Sequence, residues 1–245
     1  MFDDIPIEKG GALLFHSSAV RTLRRNKVQP SDIIHALLEK LGANGTLLLP
    51  LFNFDFTTGI PFDIRTTPSQ MGALTEAGRK WPGAVRTGHP IYSFAAIGQR
   101  ANEFEGMDNK TAYGADSPFA KLREMDGQIG VLDLPDQNSM TFYHHVEEMT
   151  AVPYRYQKEF TAPYTDVHGN CEERTYRIFV RDLKRGVKTS VDRMGERLWA
   201  KGVYKGDRPK VASGMRVINS NRLYEEVAQV IEAGEAENYL FEFDK

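Results

Sequence analysis

The chain has 245 residues, 41% of them hydrophobic, which is enough apolar material for a packed core of one large or two small domains at about 150 residues each. Its 31 basic and 33 acidic residues leave a net charge of −2, which argues against a dedicated nucleic-acid binder, and the single cysteine, Cys171, excludes an intrachain disulfide framework. Polar residues break every apolar run before about 18 residues, so no membrane-spanning helix is expected; the acidic start, Met1-Phe2-Asp3-Asp4, lacks the cations of a signal peptide and points to the cytoplasm.

Residues 11–15 form a short apolar run that reads as a buried strand. Residues 31–42 carry apolar side chains at 33, 34, 37, 38 and 41, with Ser31 as N-cap and Gly42 as stop, and predict a helix. Residues 45–50 predict a second buried strand, so strand, helix and strand follow one another as a crossover joining parallel strands. A loop-rich stretch covers 52–69 and a helix 72–80. The run 127–134 predicts a third strand and 139–150 a helix, closed by Val152-Pro153. Beyond it, 161–183 alternates in polarity around His168-Gly169-Asn170, a hairpin turn. Residues 190–201 read as a helix, 203–218 as short strands, and 219–233 as an amphipathic helix capped by Asn219 or Ser220. One α/β domain over residues 1–245, with a mixed sheet, accommodates these pieces.

The sequence has no GxxxxGK[ST] loop, no glycine-rich dinucleotide fingerprint, no HExxH and no GxSxG, which lowers nucleotide hydrolysis, hydride transfer and zinc proteolysis. Three clusters carry chemistry. His16-Ser17-Ser18 follows the first strand, where α/β folds bind ligands, and Arg21, Arg24, Arg25 and Lys27 behind it suit a phosphate; a self-bonded loop with a solvated basic face is the alternative. His144 and Glu147 stand three apart on a helix starting near Thr141. The helix N-terminus favours a neutral ring, and the carboxylate orients it and stabilises it once protonated, which equips a general base; a packed or exposed histidine is the alternative. His89 precedes Pro90 and either lines a pocket or fixes a turn. His144 and His145 point apart on a helix, so a metal site built with His89 is not expected.

Taken in order, these pieces resemble the aminoglycoside 3-N-acetyltransferase (antibiotic N-acetyltransferase) family. His16-Ser17-Ser18 is similar to its HSS strand end, and residues 45–50 to its next strand. Pro61-Phe62-Asp63 and residues 67–76 resemble its TPS-x-MG-x-L-x-E segment, and residues 86–98 its R-S-x-HP-x-HS stretch. Ser117-Pro118 and Asp126-Gly127 follow, and Thr141-x-x-His144-x-x-Glu147 with Val152-Pro153-Tyr154-Arg155 resembles its T-x-x-H-x-x-E…VPYR block.

The resemblance implies a three-layer α/β/α fold with a central mixed sheet, unrelated to the GNAT fold, and an acetyl-CoA-dependent N-acetyltransferase. By it, His144 is the base, Glu147 its partner and Thr141 an oxyanion donor. His16, Ser17, Ser18, Ala19, Met71 and Ser93 would contact the co-substrate, while His89, Tyr92 and Asp55 would face the acceptor. No metal is implied. The implied partner is a small amine, an amino sugar or an aminoglycoside, with neither nucleic acid nor membrane; a homodimer is admitted. Tyr92 replaces the second histidine of HP-x-H, and Asp133 stands where glycine is common. These departures leave open a CoA-binding protein without turnover, a hydrolase using the same histidine, and an acyltransferase of amino sugars or sugar nucleotides in surface-polysaccharide biosynthesis.

Overall fold

The structure, a computed structural model, describes residues 5–18, 23 and 27–244. Its strands are β1 (Ala12–Ser17), β2 (Thr46–Pro50), β3 (Phe62–Asp63), β4 (Val85–Arg86), β5 (Phe94–Gly98), β6 (Gln128–Leu132), β7 (Arg155–Thr165), β8 (Cys171–Arg181), β9 (Val187–Thr189), β10 (Lys205–Gly206), β11 (Met215–Asn219) and β12 (Phe241–Phe243). Its α-helices are α1 (Pro30–Leu41), α2 (Ala73–Arg79), α3 (Pro118–Glu124), α4 (Phe142–Met149), α5 (Asp192–Ala200), α6 (Ser220–Glu232) and α7 (Ala236–Tyr239).

The main sheet runs β10-β11-β6-β1-β2-β5-β4. The three central strands, β6, β1 and β2, are parallel, with Leu13 opposite Leu47 and Phe15 opposite Gly130. The outer strands pair antiparallel, which makes the sheet mixed. Side chains alternate across the pleat. Leu13, Phe15, Leu47 and Leu49 pack with Ile33, Ile34 and Leu37 of α1 on one face. On the other, Ala12, Leu14 and Leu48 belong to a cluster with Phe119 of α3, Phe142 and Val146 of α4, and Val227 of α6. Burial on both faces is why β1 and β2 read as unbroken apolar runs. Each fully buried leucine contributes roughly 2 kcal/mol relative to exposure.

Several boundaries differ from the sequence reading. Helix α1 starts at Pro30 instead of being capped by Ser31: the proline fixes φ at the first position, and the Asp32 carboxylate accepts from the Gln29 N–H at 2.8 Å. Strand β1 continues through Ser17, because His16 and Ser17 pair with Val131 and Leu132. Strand β5 is an addition; its Ala95-Ala96 centre has weak strand propensity, and pairing with β2 overrides it. The helix expected over 139–150 is shorter, α4 over Phe142–Met149, and a separate 3-10 turn, Asp136–Asn138, precedes it. Asp133, which follows β6, has φ of 56°, so the position is one that favours glycine; its Oδ1 accepts from the Gly214 N–H at 2.9 Å, a local bond that holds an aspartate there.

The hairpin is longer than its sequence signal. β7 and β8 pair over eleven residues each, from Arg155 opposite Arg181 to Thr165 opposite Cys171, and β3 adds to β7 in a second sheet. Asp166 shapes the turn by accepting from the N–H groups of His168 and Asn170, both at 2.9 Å. Among the described residues no helix is long and apolar enough to cross a membrane.

Candidate active site

The first cavity, of about 350 Å³, opens at the C-terminal ends of the parallel strands. His16, Ser17 and Ser18 line it from β1, and Met71, Thr75 and Asn138 close it from other segments. His16 is 5% exposed, and its Nε2 has no hydrogen-bond partner. Burial, reinforced by the positive Arg216, lowers its pKa to about 4, so the ring is neutral. An unpaired buried polar atom at a cavity wall is a place for a ligand group to bond.

Asn138 is shared with a narrow second cavity of about 140 Å³, lined also by Thr141, His144 and Thr189. His144 and Thr189 in turn line a third cavity, of about 310 Å³, whose other walls are Tyr92, Tyr113 and the β7–β8 hairpin. His144 therefore belongs to the walls of two adjoining spaces, and the smaller one shares Asn138 with the wall of the His16 cleft.

Thr141 holds the N-cap position of helix α4, and its side chain makes no capping hydrogen bond. His144 is in the first turn and keeps 20% of its side chain exposed, while Glu147, one turn on, keeps 1%. The His144 Nδ1–H donates to Glu147 Oε2 at 2.6 Å. Arg155 Nε lies 2.8 Å from the same oxygen, with its own side chain 5% exposed. Burial alone would raise the Glu147 pKa, but the Arg155 guanidinium and the His144 bond hold it below the ordinary glutamate value. An ionised carboxylate only accepts, so the ring proton must sit on Nδ1, and Nε2 carries a free lone pair. Burial first, then Arg155, lowers the His144 pKa against the opposing pull of Glu147. A neutral imidazole with its base nitrogen defined is the result. Arg155 is itself fixed: its Nη1 donates to the Phe179 carbonyl at 3.1 Å and its Nη2 to Thr189 Oγ1 at 3.2 Å.

The segment before α4 is anchored by a buried ion pair. Arg216 of β11 donates from Nη2 to Asp136 Oδ1 at 2.6 Å, with the two side chains 1% and 0% exposed. The hydroxyls of Tyr143 and Tyr204 donate to Asp136 Oδ2 at 2.6 and 2.9 Å. Gly195 of α5 permits this approach, since a Cβ there would lie 2.6 Å from the Asp136 carboxyl. The network ties the 3-10 turn, α4 and β11 together and so sets where Thr141 and His144 stand.

Of the sequence-derived residues, His16, Ser17, Ser18 and Met71 share one cavity, Thr141 and His144 share the next, and Tyr92 joins His144 in the third. Others are not brought there. Ser93 is fully buried, and its hydroxyl donates to the Leu51 carbonyl at 3.4 Å and accepts from Arg86 Nε at 3.2 Å; it braces β5 and lines none of these walls. His89 is also fully buried: its Nδ1 accepts from the N–H groups of Ile91 and Tyr92 at 3.3 and 3.1 Å, and its Nε2–H donates to the Arg177 carbonyl at 3.3 Å. Both nitrogens are spent on backbone, the geometry of a turn-fixing histidine. Asp55 accepts from Gln70 Nε2 at 2.8 Å and is absent from the walls of the His144 cavities. His145 points into the core, donating from Nδ1 to the Tyr113 carbonyl at 2.6 Å. Ala19, Arg21, Arg24 and Arg25 lie outside the described residues. Among the described residues, no group of three or more His, Cys, Asp or Glu side chains is placed to hold a metal ion.

Sequence reasoning did not assign Arg155, Tyr113, Lys158 or Arg181 to this site. Arg155 belongs to the VPYR run, whose spacing carries no role for it, and alternation along 156–160 is a usable signal: Tyr156, Lys158 and Phe160 all line the third cavity.

Residues 14–232 match the family described as aminoglycoside 3-N-acetyltransferase. The aminoglycoside N(3)-acetyltransferase IV of Salmonella sp is 32% identical over 154 residues, covering 62% of this chain and 57% of that relative's length. The crystal structure of aminoglycoside acetyltransferase AAC(3)-Xa superposes with a TM-score of 0.80 at 25% identity, covering 97% of this chain and 91% of that one. AAC-IIIb in its binary complex with CoASH superposes equally, with a TM-score of 0.80 at 22% identity, over 95% of this chain and 94% of that one. The extent of the family match, which takes in β1, α4 and the hairpin alike, establishes that the chain belongs to the aminoglycoside 3-N-acetyltransferase family.

Proposed function

We propose that the chain transfers an acetyl group from acetyl-CoA to the amino group of an amino sugar or aminoglycoside, directly, with His144 as general base. The observation that carries this reading is the pairing of Nδ1 with an ionised Glu147, which leaves Nε2 as a lone-pair acceptor on a ring shared by two cavities. The relatives' names supply the reaction class, and the CoASH complex of AAC-IIIb supplies the co-substrate.

The His16 cleft fits such a co-substrate. It shares Asn138 with the space at Thr141, and its unpaired His16 Nε2 and strand-end serines offer polar contacts. Acetyl-CoA supplies the thioester carbon when bound. On this chain, His144 Nε2 takes the proton of the amine as its nitrogen bonds to that carbon. The carbon–sulfur bond then breaks, and the proton passes from Nε2 to the departing sulfur. Glu147 is a positioning residue: it fixes the tautomer and balances the transient imidazolium. Thr141, whose hydroxyl does not cap its own helix, offers a donor to the oxygen that gains charge. Holding amine and thioester on either side of one ring provides the proximity term.

A thiol-release assay with acetyl-CoA and a panel of amines tests the reading. Release coupled to appearance of an N-acetylated amine by mass spectrometry is expected. Binding of CoA with no acetylated product from any amine would overturn it.

A further inference from the structure

The charge lining the third cavity narrows the acceptor. Its wall residues include Arg155, Lys158 and Arg181 and no aspartate or glutamate. Arg155 is balanced by Glu147, which is 1% exposed and already bonded to His144. Among the described residues, Lys158 and Arg181 have no carboxylate within ion-pair distance; Lys158 Nζ lies 5.1 Å from the centre of the Phe160 ring. Apart from His144 and Thr189, the remaining wall is apolar or aromatic, with Phe160, Ile178 and Val180 from the hairpin together with Tyr92 and Tyr113.

A polycation meets two uncompensated positive charges here and no carboxylate. A molecule with one amine and an anionic group meets the reverse: Lys158 and Arg181 pair with the anion while the amine reaches His144. The cations also favour the neutral, nucleophilic form of an amine placed between them, because a nearby like charge disfavours the ammonium.

From this lining we infer that the acceptor is a single amine on a sugar that also carries a phosphate or carboxylate, held by Lys158 and Arg181. The inference rests on the N-acetyltransferase reading above and specifies its acceptor.

The test compares kcat/KM for glucosamine, glucosamine phosphate, a nucleoside-diphosphate amino sugar, an amino uronic acid and a polycationic aminoglycoside. It uses the full chain and its Lys158→Glu/Arg181→Glu double variant, both checked for an unchanged thermal melt. Both substituted side chains are exposed, so folding is not at stake. The anionic amines are expected to exceed glucosamine and the aminoglycoside by roughly tenfold or more, and the double variant to reverse that ranking. Among the anionic arms, the preferred one identifies phosphate, diphosphate or carboxylate as the group held. If the aminoglycoside is the best acceptor and charge reversal leaves the ranking alone, the inference fails while the transferase reading stands. A rise in KM for acetyl-CoA with an unchanged acceptor ranking also defeats it, because the cations would then serve the co-substrate. Absence of turnover with every amine defeats both readings.

Discussion

On one side of His144 the wall is made of strand ends: His16 and Ser17 are fixed by their pairing with Val131 and Leu132, and the cleft inherits its place from the parallel core of the sheet. On the other side the wall is a hairpin, whose lining changes character with each outward side chain, Lys158, Phe160, Ile178 and Val180. A backbone-defined cleft keeps its shape through many substitutions, whereas a wall defined by side chains can exchange one ligand charge for another without altering the fold. The chain superposes on AAC(3)-Xa over 97% of its length, and its hairpin wall carries Arg155, Lys158 and Arg181. Between the two stands the histidine, and perturbing it should affect chemistry while leaving both walls in place.

The largest effect belongs to His144→Ala. Loss of the base should lower kcat by about 10²–10⁴-fold, with CoA affinity by calorimetry changed less than about twofold, since the His16 cleft does not include the ring. Retained turnover would remove His144 from the reaction and leave the two cavities without a common centre.

Next comes Glu147→Gln. It leaves the Arg155 guanidinium, 5% exposed, without a countercharge, and should lower the unfolding free energy by about 3–5 kcal/mol in denaturant titration. A variant with wild-type stability would mean that the carboxylate is not the partner of Arg155.

A smaller, graded effect follows from the buried histidines. His16, His89 and His145 each have a folded pKa of about 4 against an ordinary 6.5. The folded state therefore binds fewer protons than the unfolded state between these values. Their contribution is complete above the unfolded pKa and is lost as pH falls from 6.5 toward 4, by up to about 3 kcal/mol per histidine. Thermal melts from pH 7 to 4 should fall steadily; a flat profile would contradict the neutral burial of these rings.

The smallest effect concerns the cleft wall. His16→Ala should raise KM for acetyl-CoA by roughly three- to tenfold through loss of one polar contact, with the acceptor KM held within about twofold. An equal rise in both constants would show that the two walls are not independent.

The sequence made the first wall legible and the second mostly not. Residues 11–18 form a local pattern, an apolar run that ends in a polar triplet, and local patterns survive folding because strand register is set by the apolar side chains. The His144–Glu147 pair was readable for the same reason: three residues along a helix fix a shared face. Arg155 depends on a long-range coincidence, its guanidinium reaching Glu147, Phe179 and Thr189 at once, which no spacing rule encodes. The buried Asp136–Arg216 pair joins residues eighty positions apart and left no local trace. Ser93 and His89 stand in a recognisable motif, and in the structure their side chains bond to Arg86 and to the backbone of the turn before β5, a use that the motif alone does not reveal.

The central claim is the state of one ring: His144 neutral at rest, with its proton on Nδ1 and its lone pair on Nε2. Heteronuclear NMR of the ring nitrogens of the full chain near pH 7, assigned by comparison with His144→Ala, measures it directly. A protonated Nδ1, a bare Nε2 and a protonation midpoint below the ordinary histidine value of 6.5 are expected. A proton on Nε2 with Nδ1 bare, or an imidazolium persisting at neutral pH, would contradict it.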